Sequence, residues 1–223
     1  MEKNNTNKGR EGFKAIANYI SIVLAFPCAL LTWIEGRSPK NKTAIFDFFA
    51  HLFALAPGIP GMYLRRAYYH LVLDQCDLDC AISFGTIFTK RQVRIEPKVY
   101  IGIHALIGSA WLKQGCLIGS RASLLSGPQL HDRYESGEWG PTEHSRIVQI
   151  QIGAGAWIGE GAISMVNIDS GAMVAAGAVV STPVPAHTMV AGNPARFVRK
   201  MAVTDPKEQQ QTNADDLIQD GVT

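Results

Sequence analysis

The sequence predicts a mainly β chain, a parallel solenoid preceded by a helical segment, and three observations carry that prediction. Aliphatic residues recur six apart in blocks: Ile95, Ile101 and Ile107, then Ile118 and Leu124, then Ile152 and Ile158, then Ile168, Val174 and Val180. Glycine follows the aliphatic residue at Gly102, Gly108, Gly119, Gly153 and Gly159, and a small residue stands four positions after it at Ala105, Ala122, Ala156, Ala162, Ala172 and Ala178. In front of the repeat, residues 15–34 run without a charge.

A six-residue step fits neither the 3.6-residue period of a helical face nor the alternation of a hairpin strand. A fixed short period marks a repeating architecture. Each hexad makes one short strand and one tight turn, and three close a triangular coil of about 18 residues whose coils stack in one dimension. The aliphatic residue points inward, the small residue fits the corner, and the glycine is expected to tolerate unusual backbone angles.

Three stretches depart from the rhythm. After Leu124 it is lost until Ile152, across "SLLSGPQLHDR" and the residues that follow. Between Ile107 and Ile118 one residue is missing, and between Ala162 and Ala172 two are. Trp111 falls where a small corner residue is expected.

Residues 1–80 read as helical. "AIANYISIVLAFPCALLTWI", residues 15–34, has the roughly twenty apolar positions that a helix needs to cross a bilayer. No small-residue cleavage site follows, which disfavours a signal peptide. Lys3, Lys8, Arg10 and Lys14 against Glu2 and Glu11 precede the segment, and Arg37, Lys40 and Lys42 against Glu35 follow it. Both flanks are +2, so charge asymmetry does not orient it. Residues 44–70 predict an amphipathic helix, a turn at Pro57 and Pro60, and a second short helix carrying Arg65 and Arg66. Aromatic residues beside arginines suit a membrane interface; packing on the next domain or in an oligomer is the plain alternative. Residues 81–200 form the solenoid, and the polar residues 201–223 predict a disordered tail.

The chain has 223 residues and a net charge of +2, with 47% hydrophobic and 18% charged residues. That balance speaks against a disordered chain and against a large nucleic-acid surface. Cys28, Cys76, Cys80 and Cys116 make no dense disulfide framework and read as free thiols in a reducing compartment. Cys76 and Cys80 form a C-x3-C pair, but no second pair or histidine cluster completes a zinc site.

The hexads, with "WIGEGAISMVNIDSGAMVAAGAVVSTPVPAHTMVAGNPARFVRK" at residues 157–200, resemble the hexapeptide-repeat acyltransferases, in particular the maltose and galactoside O-acetyltransferase branch. "APGIPGMYLRRAYYH" with "FGTIF" also resembles acyltransferases of polysaccharide and surface-glycan assembly. The resemblance implies a left-handed parallel β-helix, with a short C-terminal helix at "ARFVRK" after Pro194. It implies a homotrimer whose active sites lie between neighbouring chains, and acetyl-CoA as co-substrate with no metal. It also implies a cytoplasmic protein, at the cytoplasmic face of the inner membrane where the apolar segment engages a bilayer. No nucleic acid is expected as a partner.

A hydroxyl is a weak nucleophile, and a base must take its proton as it attacks the thioester. Histidine suits that task, and a backbone N–H commonly faces the developing oxyanion. His51 and His70 lie in the helical segment, His104 on a regular hexad and His187 in a late turn; His131 and His144 lie in the break. In the resembled branch the catalytic histidine follows an "SG" or "TG" pair, which points to His131 after Ser126-Gly127. It stands four residues past the glycine, where the tightest family pattern puts it closer, at Pro128. Asp132, Glu135, Glu138, Glu143 or a backbone carbonyl could accept from its second ring nitrogen. The resemblance further implies Trp157, Ser126 and His144 at the acceptor, and Ala176, Ser181, Arg196 and Arg199 at coenzyme A. Arginine suits phosphates by bidentate bonding. Thr182 stands where the branch often has lysine, and Glu160 where it has a small neutral residue.

Transfer of an acetyl group to a hydroxyl of a sugar or surface-glycan intermediate is the leading reading. The alternatives are N-acetylation of an amino sugar, acetylation of serine, and a non-catalytic trimeric scaffold. A zinc hydratase sharing this solenoid needs two histidines close in sequence, and His104, His131 and His144 are too widely spaced.

Overall fold

The structure, a computed structural model, describes residues 2–37, 43–128, 131–140 and 146–202, with side chains from residue 11 onward. Three helices come first: α1 (Glu2–Gly36), α2 (Ala44–Ala54) and α3 (Gly58–Val72). A parallel β-solenoid follows. Its first coil holds β1 (Gln75–Cys76), β2 (Ala81–Ile82) and β3 (Ile87–Phe88). The second holds β4 (Val93–Ile95), β5 (Tyr100–Ile101) and β6 (Leu106–Ile107), and the third β7 (Ala110–Leu112), β8 (Leu117–Ile118) and β9 (Ser123–Leu124). The fourth holds β10 (Ile150–Ile152), β11 (Trp157–Ile158) and β12 (Ile163–Ser164). Above it, β13 (Met173–Val174) and β14 (Val179–Val180) form a fifth coil and β15 (Thr188–Ala191) the last, with bridges at Ile168 and Val184 completing the first wall. The first solenoid strand thus begins at Gln75, a few residues ahead of residue 81.

Each of the first four coils contributes one strand to each of three parallel walls. The first wall stacks Cys76, Ile95, Leu112, Ile152, Ile168 and Val184 inward, and the second stacks Ile82, Ile101, Ile118, Ile158, Val174 and Val190. The third stacks Phe88, Ile107, Leu124, Ser164 and Val180. All are buried. Every aliphatic position read from the hexads is in this core, as are the six alanines four residues later. Cys116 fills the same small position in the third coil.

The irregular spacings gather at one edge of the prism. From the first wall to the second, and from the second to the third, the inward step is six residues in every coil. From the third wall back to the first it varies. Phe88 to Ile95 is seven and Ile107 to Leu112 is five, whereas Leu124 to Ile152 is the long excursion. Trp111 therefore occupies no corner. It is the central residue of β7 and faces outward, donating from Nε1 to Glu96 at 2.8 Å and lying beside Arg94 and Lys113.

Two further expectations are corrected. The glycines after each aliphatic residue do not adopt left-handed angles; they are small because the next coil presses on them. A Cβ on Gly153 would stand 2.2 Å from the Ser170 nitrogen. The left-handed residues come two positions later, as at Gly155 with φ +64°, and some carry side chains, as at His104 with φ +56°. The segment "ARFVRK" is also not a helix. Gly192–Ala195 form a turn, and β16 (Arg196–Lys200) runs back antiparallel to β15. Asn193 precedes proline, which disfavours helical angles there. Pro194 is taken up inside the turn, and Phe197 and Val198 favour a strand.

The helices close the first coil. α3 lies between α1 and the solenoid, with Tyr69 against Phe88 at 4.4 Å between ring centroids and Tyr68 stacked on Phe53 at 4.7 Å. Arg65 is buried, and its Nη1 donates to the carbonyls of Phe53, Ala54 and Ala56 at the end of α2 while Nε donates to Ile82 at 3.1 Å. A cation there suits the negative end of α2; burial lowers its pKa from the usual arginine value. At the other end of α2, the Glu35 carboxylate accepts from the Ile45 and Phe46 N–H groups and pairs with Arg91 at 2.7 Å. Cys76 and Cys80 are both buried free thiols with sulfurs 3.9 Å apart, and hydrogen bonding to Cys80, then burial, pushes the Cys76 thiol up.

Candidate functional site

The excursion leaves the third wall after β9 and returns at β10. Its foot is fixed by Ser126, whose buried hydroxyl accepts from the Ser109 N–H at 2.8 Å and whose carbonyl accepts from Val148 N–H at 2.9 Å. That hydroxyl is spent on the wall, so Ser126 positions the loop and offers a substrate little. Gly127 follows with φ +108°, which turns the chain outward where a side chain would be strained.

Further out, residues 132–140 fold back on themselves. Arg133 bridges Trp139 antiparallel, Tyr134 N–H donates to the Glu138 carbonyl and Gly140 N–H to the Asp132 carbonyl. Asp132 then pairs with Arg146 at 2.7 Å, tying this fold to the returning chain. The pair is half exposed and worth up to about 1 kcal/mol.

His131 stands at the start of that fold with its ring exposed and its Nδ1 2.9 Å from the Gly140 carbonyl. A carbonyl oxygen only accepts, so Nδ1 donates in this contact, and the neutral ring in this tautomer has its lone pair on Nε2. Among the described residues the backbone carbonyl of Gly140 is the acceptor for this ring, and Glu143 lies outside them. Asp132 turns to Arg146 instead. His144 lies outside the described residues. His104 and His187 occupy left-handed turn positions at solenoid corners, with φ +56° and +51°. His70 bonds the Cys76 carbonyl at 2.6 Å.

The other sequence-predicted residues are dispersed. Trp157 is half exposed on the outer face of the second wall, between Leu117 and Met173. Met173 pairs with Met189 and Met189 with Arg199, so Trp157 and Arg199 share that face. Arg196 lies on it too, opposite Ala191. Ala176 stands at the edge between the second and third walls, where Gly159 leaves its backbone room and Gly177 N–H donates to the Glu160 carbonyl. Glu160 itself is exposed and 3.6 Å from Arg121. Ser181 is exposed just past β14. In a three-walled prism the second wall faces away from the edge that carries the excursion. One chain therefore does not bring His131 to Trp157, Arg196 or Arg199.

A cavity of about 580 Å³ opens at the foot of the excursion. Glu35, Lys90, Arg91, Ser109, Ile147 and Gln149 line it. Its size is in the range that holds small ligands. Among the described residues, Arg91 Nε has no hydrogen-bond partner although it is buried. These residues come from separate stretches of chain, and no local motif marks them.

No protein-family model and no curated protein matches the chain. Solved structures do. A galactoside acetyltransferase in complex with coenzyme A superposes with a TM-score of 0.52 at 13% identity, over 74% of this chain and 86% of that one. A maltose O-acetyltransferase from Clostridium difficile 630 gives 0.45 at 15% identity, over 70% and 85%. A hexapeptide-repeat-containing acetyltransferase from Vibrio cholerae gives 0.42 at 18% identity, over 70% and 89%. The chain thus has the β-solenoid fold of the galactoside acetyltransferase.

Proposed function

We propose that the protein is a coenzyme A-dependent acyltransferase that moves an acetyl group from acetyl-CoA to a hydroxyl of a sugar or surface-glycan intermediate. The observation that carries this reading is the contact between His131 Nδ1 and the Gly140 carbonyl. In the neutral ring it puts the lone pair on Nε2, the nitrogen we assign to take the proton of the attacking hydroxyl, on a loop that departs from an otherwise closed wall. The oxygen attacks the thioester carbonyl, a tetrahedral adduct forms, and its collapse expels the coenzyme A thiolate, to which His131 returns the proton.

The shared fold supports the donor, since the galactoside acetyltransferase was solved with coenzyme A. Ala176, Ser181, Arg196 and Arg199 are the residues proposed to hold it, the arginines at phosphate. The separation of His131 from Trp157 and the arginines favours a homotrimer, in which the loop of one chain meets the second wall of its neighbour. His144 is proposed to assist at the acceptor. We place the enzyme at the cytoplasmic face of the inner membrane, where acetyl-CoA and glycan precursors are both within reach.

Thiol release from acetyl-CoA across a panel of sugars and glycan intermediates tests the proposal. Wild-type activity that falls by about 10²-fold or more in His131→Ala supports it. Full activity in that variant would sink the mechanism.

A further inference from the structure

α1 presents its side chains in the reverse of the order expected for a helix in water. Ser21, Ala25, Ala29, Thr32 and Glu35 turn inward at steps of three and four residues. Ile20, Leu24, Phe26, Leu30, Leu31 and Ile34 are exposed. At 100° per residue these exposed positions cover about half of the helix circumference. A helix in water buries its large apolar side chains and turns polar ones outward. Small and polar residues at the protein contact, with large aliphatic ones outside, is the arrangement of helices packed in lipid. The exposed apolar surface continues through Phe48, Leu52 and Leu55 to Ile59. An apolar groove of about 320 Å³ runs between Ile20 and Leu24 of α1 and Ile59, Pro60 and Tyr63 of α3.

By length and hydropathy alone, Glu11–Gly36 could cross a membrane. The packing argues otherwise. Arg66 bonds Asn18 and also donates to the Cys80 carbonyl in the first coil. Glu35 pairs with Arg91, just past that coil. Asn18 and Glu35 are roughly 25 Å apart along a helix rising 1.5 Å per residue, yet both are tied to the same end of the solenoid. Between them Thr32 bonds the Tyr68 hydroxyl at 3.0 Å and Trp33 donates to the Leu71 carbonyl at 2.8 Å. α1 therefore lies across the base of the prism. A bilayer crossed by α1 would have to contain the polar turns of the first coil, where backbone groups would lack partners.

Charge agrees with this placement. The residues on either side of the apolar segment are each +2. In a helix lying flat, both flanks meet the same headgroup layer, and two basic flanks suit an anionic surface. A second copy of the chain would cover a strip of α1, whereas hydrocarbon covers the whole exposed arc.

We infer that α1 to α3 form a monotopic anchor, with α1 lying in the plane of one leaflet of an anionic membrane and the solenoid standing on it in the cytosol. The inference gives the membrane placement above a geometry and does not depend on acyl transfer, which the histidine variant tests separately.

The full chain is to be floated with vesicles of phosphatidylglycerol and phosphatidylcholine, as wild type and as Leu24→Glu/Leu31→Glu. These positions are exposed, so the double variant should keep its far-UV circular dichroism and its oligomeric mass. The wild type is expected to float, and the variant's bound fraction to fall at least about tenfold, because each glutamate would enter hydrocarbon. Epitopes at both ends should be open to protease from the same side of sealed vesicles. A wild type that stays off the vesicles, or a variant whose main change is its oligomeric mass, would overturn the inference in favour of a subunit contact. An N-terminal epitope protected until detergent is added would overturn it in favour of a span.

Discussion

In the solenoid, large aliphatic side chains point to the axis, and alanines fill the corners. In α1 Ser21, Ala25 and Ala29 face the protein and large aliphatic side chains such as Leu24 and Leu31 face out. Both regions are rich in the same apolar residues, so composition does not separate them. The difference lies in what surrounds each face. The solenoid must exclude water from its own interior, whereas α1 is already docked through Asn18, Thr32 and Glu35, and its large side chains lie outside that contact.

The comparison breaks most visibly in the core. Ile158→Ala empties a fully buried position in the second wall and should cost about 2–5 kcal/mol by chemical denaturation. Leu24→Ala, with its parent side chain 61% exposed, should move the same midpoint by no more than about 0.5 kcal/mol. Equal losses at the two positions would show that α1 is buried as the solenoid core is.

A smaller contrast separates two glycines two residues apart. Gly153→Ala forces a methyl group to within 2.2 Å of Ser170 backbone, so adjacent coils must part and stability should fall by about 2–3 kcal/mol. Gly155→Ala meets open space and carries only the left-handed strain, about 1–2 kcal/mol. Thermal melts of the pair check the order; a larger loss at Gly155 would mean that backbone angle, not coil spacing, sets the glycine pattern.

The mildest effect is one of pH. Burial pushes the Cys116 thiol from 9.0 up to about 12 in the third coil, and the Tyr68 phenol under α1 from 10.0 up to about 12. The folded chain keeps these protons where the unfolded chain releases them. Their contribution is whole below about pH 9 and is lost as pH rises toward 12, at most about 1.4 kcal/mol per unit for each group. Cys116→Ala should flatten that alkaline decline in denaturant midpoints, and an unchanged slope would assign it elsewhere.

The inward stacks were legible because a closed coil repeats its environment every six residues, so one glance along the chain finds Ile152, Ile158 and their partners. The excursion was legible as their interruption, and His131 as a histidine inside it. Its acceptor was not, because the Gly140 carbonyl depends on a backward fold of residues 132–140 rather than on any side chain. Pro194 by itself predicts a helix over Arg196–Lys200, but pairing with β15 outweighs that local signal. The Glu35–Arg91 pair spans 56 positions in sequence, and no spacing rule reaches across that.

Periodicity that each hexad carries locally specifies the solenoid, its inward residues and the place where the repeat opens. Tertiary structure alone decided that every irregular step falls on one edge and that Trp157 and the arginines face away from it. It also decided that α1 lies across the prism with its apolar side outward. Those outcomes depend on how coils and helices stack, and the contacts that fix them join residues too far apart in sequence for local pattern to specify.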